Sequence, residues 1–236
     1  MISLRSLLPC GQATCEAETA GGNYLFYTSY MAVVSVDMWM DFGCPWSRMA
    51  FIELQRAVEV RGDTLDIHFH GLRLDPGAPS DYGKTTIENL CEHLSISEAE
   101  AESMLQKVVD AGRDIGVGFN FHTARGASTL DTHRLLKYSH IYGVQSQLAL
   151  VLWRAHFENG ALISDHSVLM PYADEVGLPT TSVREVLDTN QCGDEVLAGE
   201  KDAVARGIER TPHFLFSHGV ELSGMQYAPD FQAVLA

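Results

Sequence analysis

The residues best suited to chemistry lie in the stretch DFGCPWSRMAF at positions 41–51, where Cys44 stands just ahead of Pro45, Trp46 and Ser47. An apolar run leads into this stretch and a helical pattern leads out, so the sulfur belongs at the opening of a helix. There it meets amide N–H groups without intrahelical partners and the positive end of the helix dipole. A thiolate is the nucleophile in thiol chemistry, and a free cysteine with a pKa near ~8.5 is mostly protonated at neutral pH. The dipole contributes roughly 0.3–1 kcal/mol, up to about 2, which at ~1.36 kcal/mol per unit predicts a Cys44 pKa around neutrality. The Ser47 hydroxyl, one turn along, is placed to donate a hydrogen bond to the thiolate, and Arg48 adds positive potential if it folds back. Pro45 fixes the first helical turn, where a missing N–H leaves nothing unpaired, and Trp46 offers a flat apolar wall beside the sulfur. Both catalytic candidates, Cys44 and Ser47, therefore fall within one turn. With a second thiol at position 47 a bound partner would be expelled by an internal disulfide. Serine cannot form one, so a mixed disulfide at Cys44 must wait for an external thiol.

Other side chains offer less. The ten histidines include His68 and His70 on one strand face, His93 two positions from Cys91, and His133, His140 and His156 in helical segments. No HExxH, paired CxxC or comparable ligand spacing organises them, so the sequence predicts no metal site. Cys91 and Cys192 read as packing or surface thiols. Cys10 and Cys15 belong to a leader and reach Cys44 only by a large excursion.

The elements that hold these residues follow from periodicity. Residues 1–31 are rich in Gly, Ala, Thr and Ser without a sustained period and read as a flexible leader. AVVSVDMWMDF alternates as a buried strand, and a helix runs from Cys44 to about Gly62. TLDIHFHGLRL is a second strand with Leu65, Ile67 and Phe69 on one face and Asp66, His68 and His70 on the other. Strand, helix, strand is a parallel crossover unit. A Pro/Gly-rich break, DPGAPSDYGK, opens a mostly helical stretch up to about Leu187. CGDEVLAGEKDAVARG is one more helix, PHFLFSHGVELSG two short strands around a turn, and APDFQAVLA a closing helix.

Length and composition bound the class. The 236 residues, 46% hydrophobic, suffice for one sizeable core or a core with an inserted subdomain. A formal net charge of -15, from 31 acidic against 16 basic side chains, argues against nucleic acid and anionic membranes as partners. It leaves room for a small local anion pocket, because a carboxylate or phosphate needs only one or two cations or helix N-termini. No apolar run approaches a membrane span, and the N-terminal MISLRSLLPCGQATC is a poor secretory signal. Five irregularly spaced cysteines in a chain this long fit a reducing compartment, so the expected location is the cytoplasm.

The segments DFGCPWSRMAF, STLDTHRLLKYSHIYG, LVLWRAHFENGALISDHSVL, ARGIERTPHFLF and SGMQ, in this order and spacing, resemble the DsbA-like branch of the thioredoxin fold, most nearly its FrnE-type oxidoreductases, over roughly residues 32–236. The resemblance implies an α/β thioredoxin-like fold with a large all-helical insertion between its βαβ and ββα halves. The thioredoxin-like domain then comprises residues 32–80 and 188–236, and the insertion residues 81–187. It also implies that Pro212 is cis and lies against Cys44, that the Thr211 backbone pairs with an extended peptide or glutathione, and that His133 faces the active-site cleft unless it is a hydrogen-bonded interdomain residue. Pro45 and Trp46 join these as substrate contacts. FrnE-like proteins commonly carry Cys-Pro-Trp-Cys, whereas position 47 here is serine. Kappa-class glutathione transferases and hydroxychromene carboxylate isomerases place serine first, where this chain keeps Cys44. The expected activity is thiol–disulfide exchange through Cys44 with glutathione or protein thiols, glutathione acting as co-substrate and no cofactor being tightly bound. A glutathione-dependent isomerase or transferase, and a non-catalytic binding protein, are the alternatives. A homodimer is left open.

Overall fold

Alternation of apolar and polar side chains along VVSVDMWM builds the strand at the centre of the molecule. The computed structural model describes residues 14–17, 25–28 and 31–235. Its first elements, β1 (Thr14–Ala17) and β2 (Leu25–Thr28), pair antiparallel within the stretch expected to be a flexible leader. LFYT has the aromatic content of a strand but is too short to show a period, which is why it reads as irregular. The rest of that leader, Cys10 included, lies outside the described residues.

The central strand, β3 (Val33–Met40), is followed by α1 (Pro45–Arg61) and β4 (Thr64–Gly71), which pairs with β3 in parallel. On its other side β3 pairs antiparallel with β5 (His213–Phe216), and β5 with β6 (Glu221–Ser223), giving the order β4-β3-β5-β6. The register sets Val36 opposite Ile67 and Phe216, and Met38 opposite Phe69 and Phe214. One sheet face therefore carries Val36, Met38, Met40, Ile67, Phe69, Phe214 and Phe216, all buried in the main core. Against it lies α1 with Met49, Phe51 and Leu54 fully buried, each worth about 1.5–3 kcal/mol of transfer free energy. The final helix α9, named after those before it (Ala228–Val234), adds Phe231, whose ring meets Phe214 edge-on at 5.0 Å.

Between β4 and β5 run seven helices, α2 (Thr86–Leu94), α3 (Glu98–Asp114), α4 (Leu130–Ser139), α5 (Gln145–Phe157), α6 (His166–Glu175), α7 (Thr180–Asp188) and α8 (Gly193–Ala205). Thr85 with Glu88, and Ser97 with Glu100, form capping boxes that start α2 and α3. The last of the seven covers the opposite sheet face, where Ala203 and Ile208 pack with Trp39, Leu72 and Leu215. The others share the main core: Trp153 of α5 lies 5.4 Å from Phe42 and 6.0 Å from Phe51, ring centre to ring centre. The helical insertion thus closes over the end of β3 at which the Cys44 segment begins. The thioredoxin-like architecture expected from the sequence is the one observed.

Candidate functional site

Four residues, Asp41 to Cys44, separate the end of β3 from α1, and the backbone must turn within them. The Cys44 N–H donates to the Asp41 carbonyl at 3.1 Å, closing the turn and making Cys44 the residue before the first helical position. Its φ of -97° and ψ of 110° are extended, as at an N-cap, and Pro45 follows at the first position of the helix. The Ser47 N–H donates to the Cys44 carbonyl at 3.2 Å. Gly62 ends the helix in the left-handed region at φ 70°, its N–H donating to Glu59 and Val58 carbonyls.

The late Thr-Pro loop meets this turn. The Thr211–Pro212 peptide is cis, and the Cys44 Sγ–H donates to the Thr211 carbonyl at 3.5 Å across 167 residues of chain. The Ser47 and Thr211 hydroxyls are buried without a hydrogen-bond partner as they stand, and both favour the ionised sulfur when it forms. Pro45 and Trp46 are half-buried and Gly43 is exposed, so Cys44, a residue only 3% exposed, is flanked by solvent-accessible chain at the Gly43–Trp46 edge. The structure thus brings Cys44, Pro45, Trp46, Ser47, Thr211 and Pro212 together at one point.

Two expectations need correction. Cys44 is not held as an anion near neutrality: burial pushes its thiol above the ordinary value, with the Ser47 and Thr211 hydroxyls, which favour the ionised sulfur, pulling back and the Asp41 charge adding to the rise. Desolvation of a fully buried group shifts a pKa by as much as about 3–5 units, more than a helix dipole returns. Nor does Arg48 fold back toward the sulfur. It is buried, donates to the Gly118 carbonyl at 2.9 Å, pairs with Glu158 and lies over the Phe119 ring at 5.5 Å, tying α1 to the insertion.

Of the two readings of His133, the structure shows the hydrogen-bonded one. His133 is buried rather than open to the cleft, its ring set 5.1 Å from that of Phe42 and its Nε2 3.1 Å from Asp41 Oδ1. A β-carbon added to Gly71 would stand 3.0 Å from His133 Nδ1, so glycine at the end of β4 is what lets the ring approach.

The group that sequence reasoning missed is Asp41. Its carboxylate is buried and receives Thr129 Oγ1 at 2.7 Å and His133 Nε2 at 3.1 Å on Oδ1, and the Leu74 N–H at 2.9 Å on Oδ2. Its carbonyl accepts Trp153 Nε1–H at 3.3 Å in addition to the Cys44 amide. Burial alone would raise the carboxyl, yet the hydrogen bond and charge of His133, with Leu74 and Thr129, hold it below the usual carboxylate range. The one available signal was its place three residues before Cys44. Among the described residues no group of three or more His, Cys, Asp or Glu is arranged to hold a metal ion, and no helix is long and apolar enough to cross a membrane.

No curated protein sequence matches the chain. Among solved structures it is similar to a probable DsbA oxidoreductase from Streptomyces coelicolor, 25% identical, with a TM-score of 0.79 over 86% of this chain and 88% of that one. It is also similar in fold to the cytosolic disulfide reductase DsbM from Pseudomonas aeruginosa, solved with glutathione, at 20% identity and TM-score 0.58, covering 85% and 96%. A 2-hydroxychromene-2-carboxylate isomerase shares the fold at 14% identity and TM-score 0.60, covering 80% and 88%. The family model of the DSBA-like thioredoxin domain matches residues 35–236, a span that begins within β3 and takes in Cys44, the helical insertion and the cis-proline loop. A cysteine opening the first helix and facing that loop is what such a domain needs for thiol chemistry, and the chain belongs to the DsbA-like thioredoxin family.

Proposed function

We propose that the protein is a cytoplasmic monothiol thiol–disulfide oxidoreductase of the FrnE type, working through a mixed disulfide between Cys44 and glutathione or a protein cysteine. The observation that carries this reading is the contact of Cys44 Sγ with the Thr211 carbonyl at 3.5 Å, with serine rather than cysteine one turn further on. In the first step Cys44, giving up its proton, attacks one sulfur of an external disulfide. The other sulfur leaves as a thiolate and takes up that proton. In the second step an external thiolate attacks the partner's sulfur in the mixed disulfide, and Cys44 returns to the thiol. Ser47 forms no bond in either step; its hydroxyl steadies the sulfur anion that enters the first and leaves the second. Thr211, released from the thiol once Cys44 is bonded, offers its carbonyl to the backbone of the partner. Arg210, exposed and next in the chain, gives a cation beside this loop in an otherwise acidic protein, which suits a glutathione carboxylate. The DsbM structure with glutathione supports the choice of partner by similarity of fold.

The test is to incubate the pure protein with oxidised glutathione and weigh it intact. One glutathionyl adduct is expected, mapped to Cys44 and lost in Cys44→Ser together with disulfide-exchange activity. An absent adduct, or activity that survives Cys44→Ser, overturns the reading.

A second reading rests on the upward shift of the Cys44 thiol, which makes it a slow nucleophile. Glutathione held beside Cys44 and Ser47 then serves as cofactor of an isomerisation or conjugation, and thiol oxidation is absent while such turnover is present.

A further inference from the structure

The covalent steps above take place at one sulfur, yet the surface beside it is built for more than a small thiol. The chain after β4 is fixed there by an ion pair: Arg73 meets Glu200 of α8 through Nε at 2.6 Å and Nη2 at 2.9 Å, one bond to each carboxylate oxygen, and the two side chains are 8% and 14% exposed. A forked pair of this kind holds one geometry and leaves little free charge for solvent. The next residue is pinned as well, since the Leu74 N–H donates to Asp41 Oδ2 at 2.9 Å. Leu74 is nonetheless 56% exposed. On α8, Leu197 stands three residues before Glu200 and Val204 four after, so the three share one stripe of the helix. Leu197 is 38% exposed and Val204 70%. Large apolar residues thus surround an ion pair that is itself nearly closed to water. Exposed apolar side chains scattered singly need no explanation, but several gathered on one rigid support mark a surface that a partner covers.

This surface adjoins the sulfur through Gly43. A β-carbon at Gly43 would meet the same Asp41 Oδ2 at 3.4 Å, so Gly43 and Leu74 are neighbours across that oxygen. Gly43 is exposed, its φ lies outside the left-handed region, and a β-carbon there would meet nothing nearer. The fold itself does not demand glycine at this position. Its bareness keeps the way from Cys44 to Leu74 clear.

We infer that the partner joined at Cys44 is a protein rather than glutathione, one that carries an apolar segment beside its cysteine, and that Leu74, Leu197 and Val204 receive that segment. The inference rests on the proposed mixed-disulfide reading and narrows its choice of partner. Size decides between the two. Leu197 and Val204 are about 10 Å apart along the helix at ~1.5 Å per residue. Glutathione carries one residue on either side of its cysteine, only a few ångströms of chain each way, and ends before such a stripe is covered. A polypeptide continues along it, its backbone held near Thr211 and its apolar side chains on α8. Glutathione keeps the second role, as the external thiol that frees Cys44.

The test uses two peptides of about ten residues, long enough to span the stripe when extended. Each has one central cysteine activated as its mixed disulfide with thionitrobenzoate, flanked by leucine and valine in one and by serine in the other. The Cys44 thiolate attacks the peptide sulfur, the peptide becomes bonded to the protein, and thionitrobenzoate leaves as a coloured thiolate that gives the rate. The native protein is expected to react several-fold faster with the apolar peptide. A triple variant, Leu74→Ser with Leu197→Ser and Val204→Ser, should lose that preference while keeping native near-UV circular dichroism. Equal rates in the native protein, or a preference that survives the three substitutions, overturn the inference and leave the proposed function standing. Reaction with neither peptide overturns it too, and the glutathione adduct then decides separately whether the proposed function survives. If the triple variant fails to fold, Val204→Ser, at the most exposed of the three positions, decides: a reduced preference supports the inference and an unchanged one overturns it. A native dimer that the same substitutions make monomeric, seen by sedimentation, assigns the surface to a second copy of the chain and also overturns it.

Discussion

At the scale of single residues, Cys44 shows how burial and helix geometry compete for one sulfur. The turn supplies the N-terminal position that the spacing of Cys44 and Pro45 promises, but the burial of Cys44 reverses the sign of the expected shift. A thiol pushed upward reacts faster as pH rises, and it does so at higher pH than an ordinary cysteine. Ser47 opposes this through its hydroxyl, so Ser47→Ala is expected to raise the Cys44 pKa further and slow its alkylation at pH 7–8 several-fold, measured on the Cys44 peptide with the fold checked by circular dichroism. Alanine fills nearly the same space at a fully buried position, so packing contributes little to the change. The chemistry-bearing residues were legible because they adjoin in sequence. Asp41 was not, because an aspartate at a strand end reads as a turn residue, and its partners Leu74, Thr129 and His133 lie 33, 88 and 92 positions away.

At the scale of elements, α1 is held by more than its apolar face. Arg48, one residue past Ser47, crosses to the insertion and satisfies the Gly118 carbonyl and Glu158 together. Arg48→Ala would remove a buried guanidinium from a partner that is 35% exposed. Since solvent screens that partner, the expected loss is about 2 kcal/mol of unfolding free energy, below that of a fully buried pair. Urea unfolding of the variant measures it, and an unchanged midpoint would show that the packing of α1 suffices. The strands themselves were readable from period: of the residues the two-residue alternation sets on one face of β4, Ile67 and Phe69 are buried in the main core and Leu65 packs half-buried against it. What periodicity does not carry is the direction in which a long side chain leaves its helix, which is why the sequence leaves open whether Arg48 folds back to the sulfur, while the structure ties it to Gly118 and Glu158.

At the scale of the whole molecule, the sheet and the insertion share one core, and buried ionisable groups lie along their junction. His156 of α5 is fully buried, and desolvation lowers its pKa to about 4, with the Asp41 charge opposing. The unfolded chain binds a proton there near pH 6.5 while the folded chain does not, so stability is full above that value and falls as pH drops toward 4. Two and a half units at ~1.36 kcal/mol each amount to about 3 kcal/mol. Asp41, whose folded pKa is depressed, adds loss in the same direction as pH falls through that pKa. Denaturant midpoints between pH 4 and 7 should therefore decline toward acid in the native protein and more gently in His156→Gln; equal slopes would remove His156 from the account.

One backbone oxygen, that of Asp41, takes both the amide of the nucleophile and the indole of Trp153. The largest ring of the insertion and the reactive residue are in this way hung from a single peg. An indole N–H resonance is easily told apart from other amides, and among the three tryptophans of this chain the one on that peg is a built-in gauge of events at the sulfur 109 positions earlier in sequence (153 − 44).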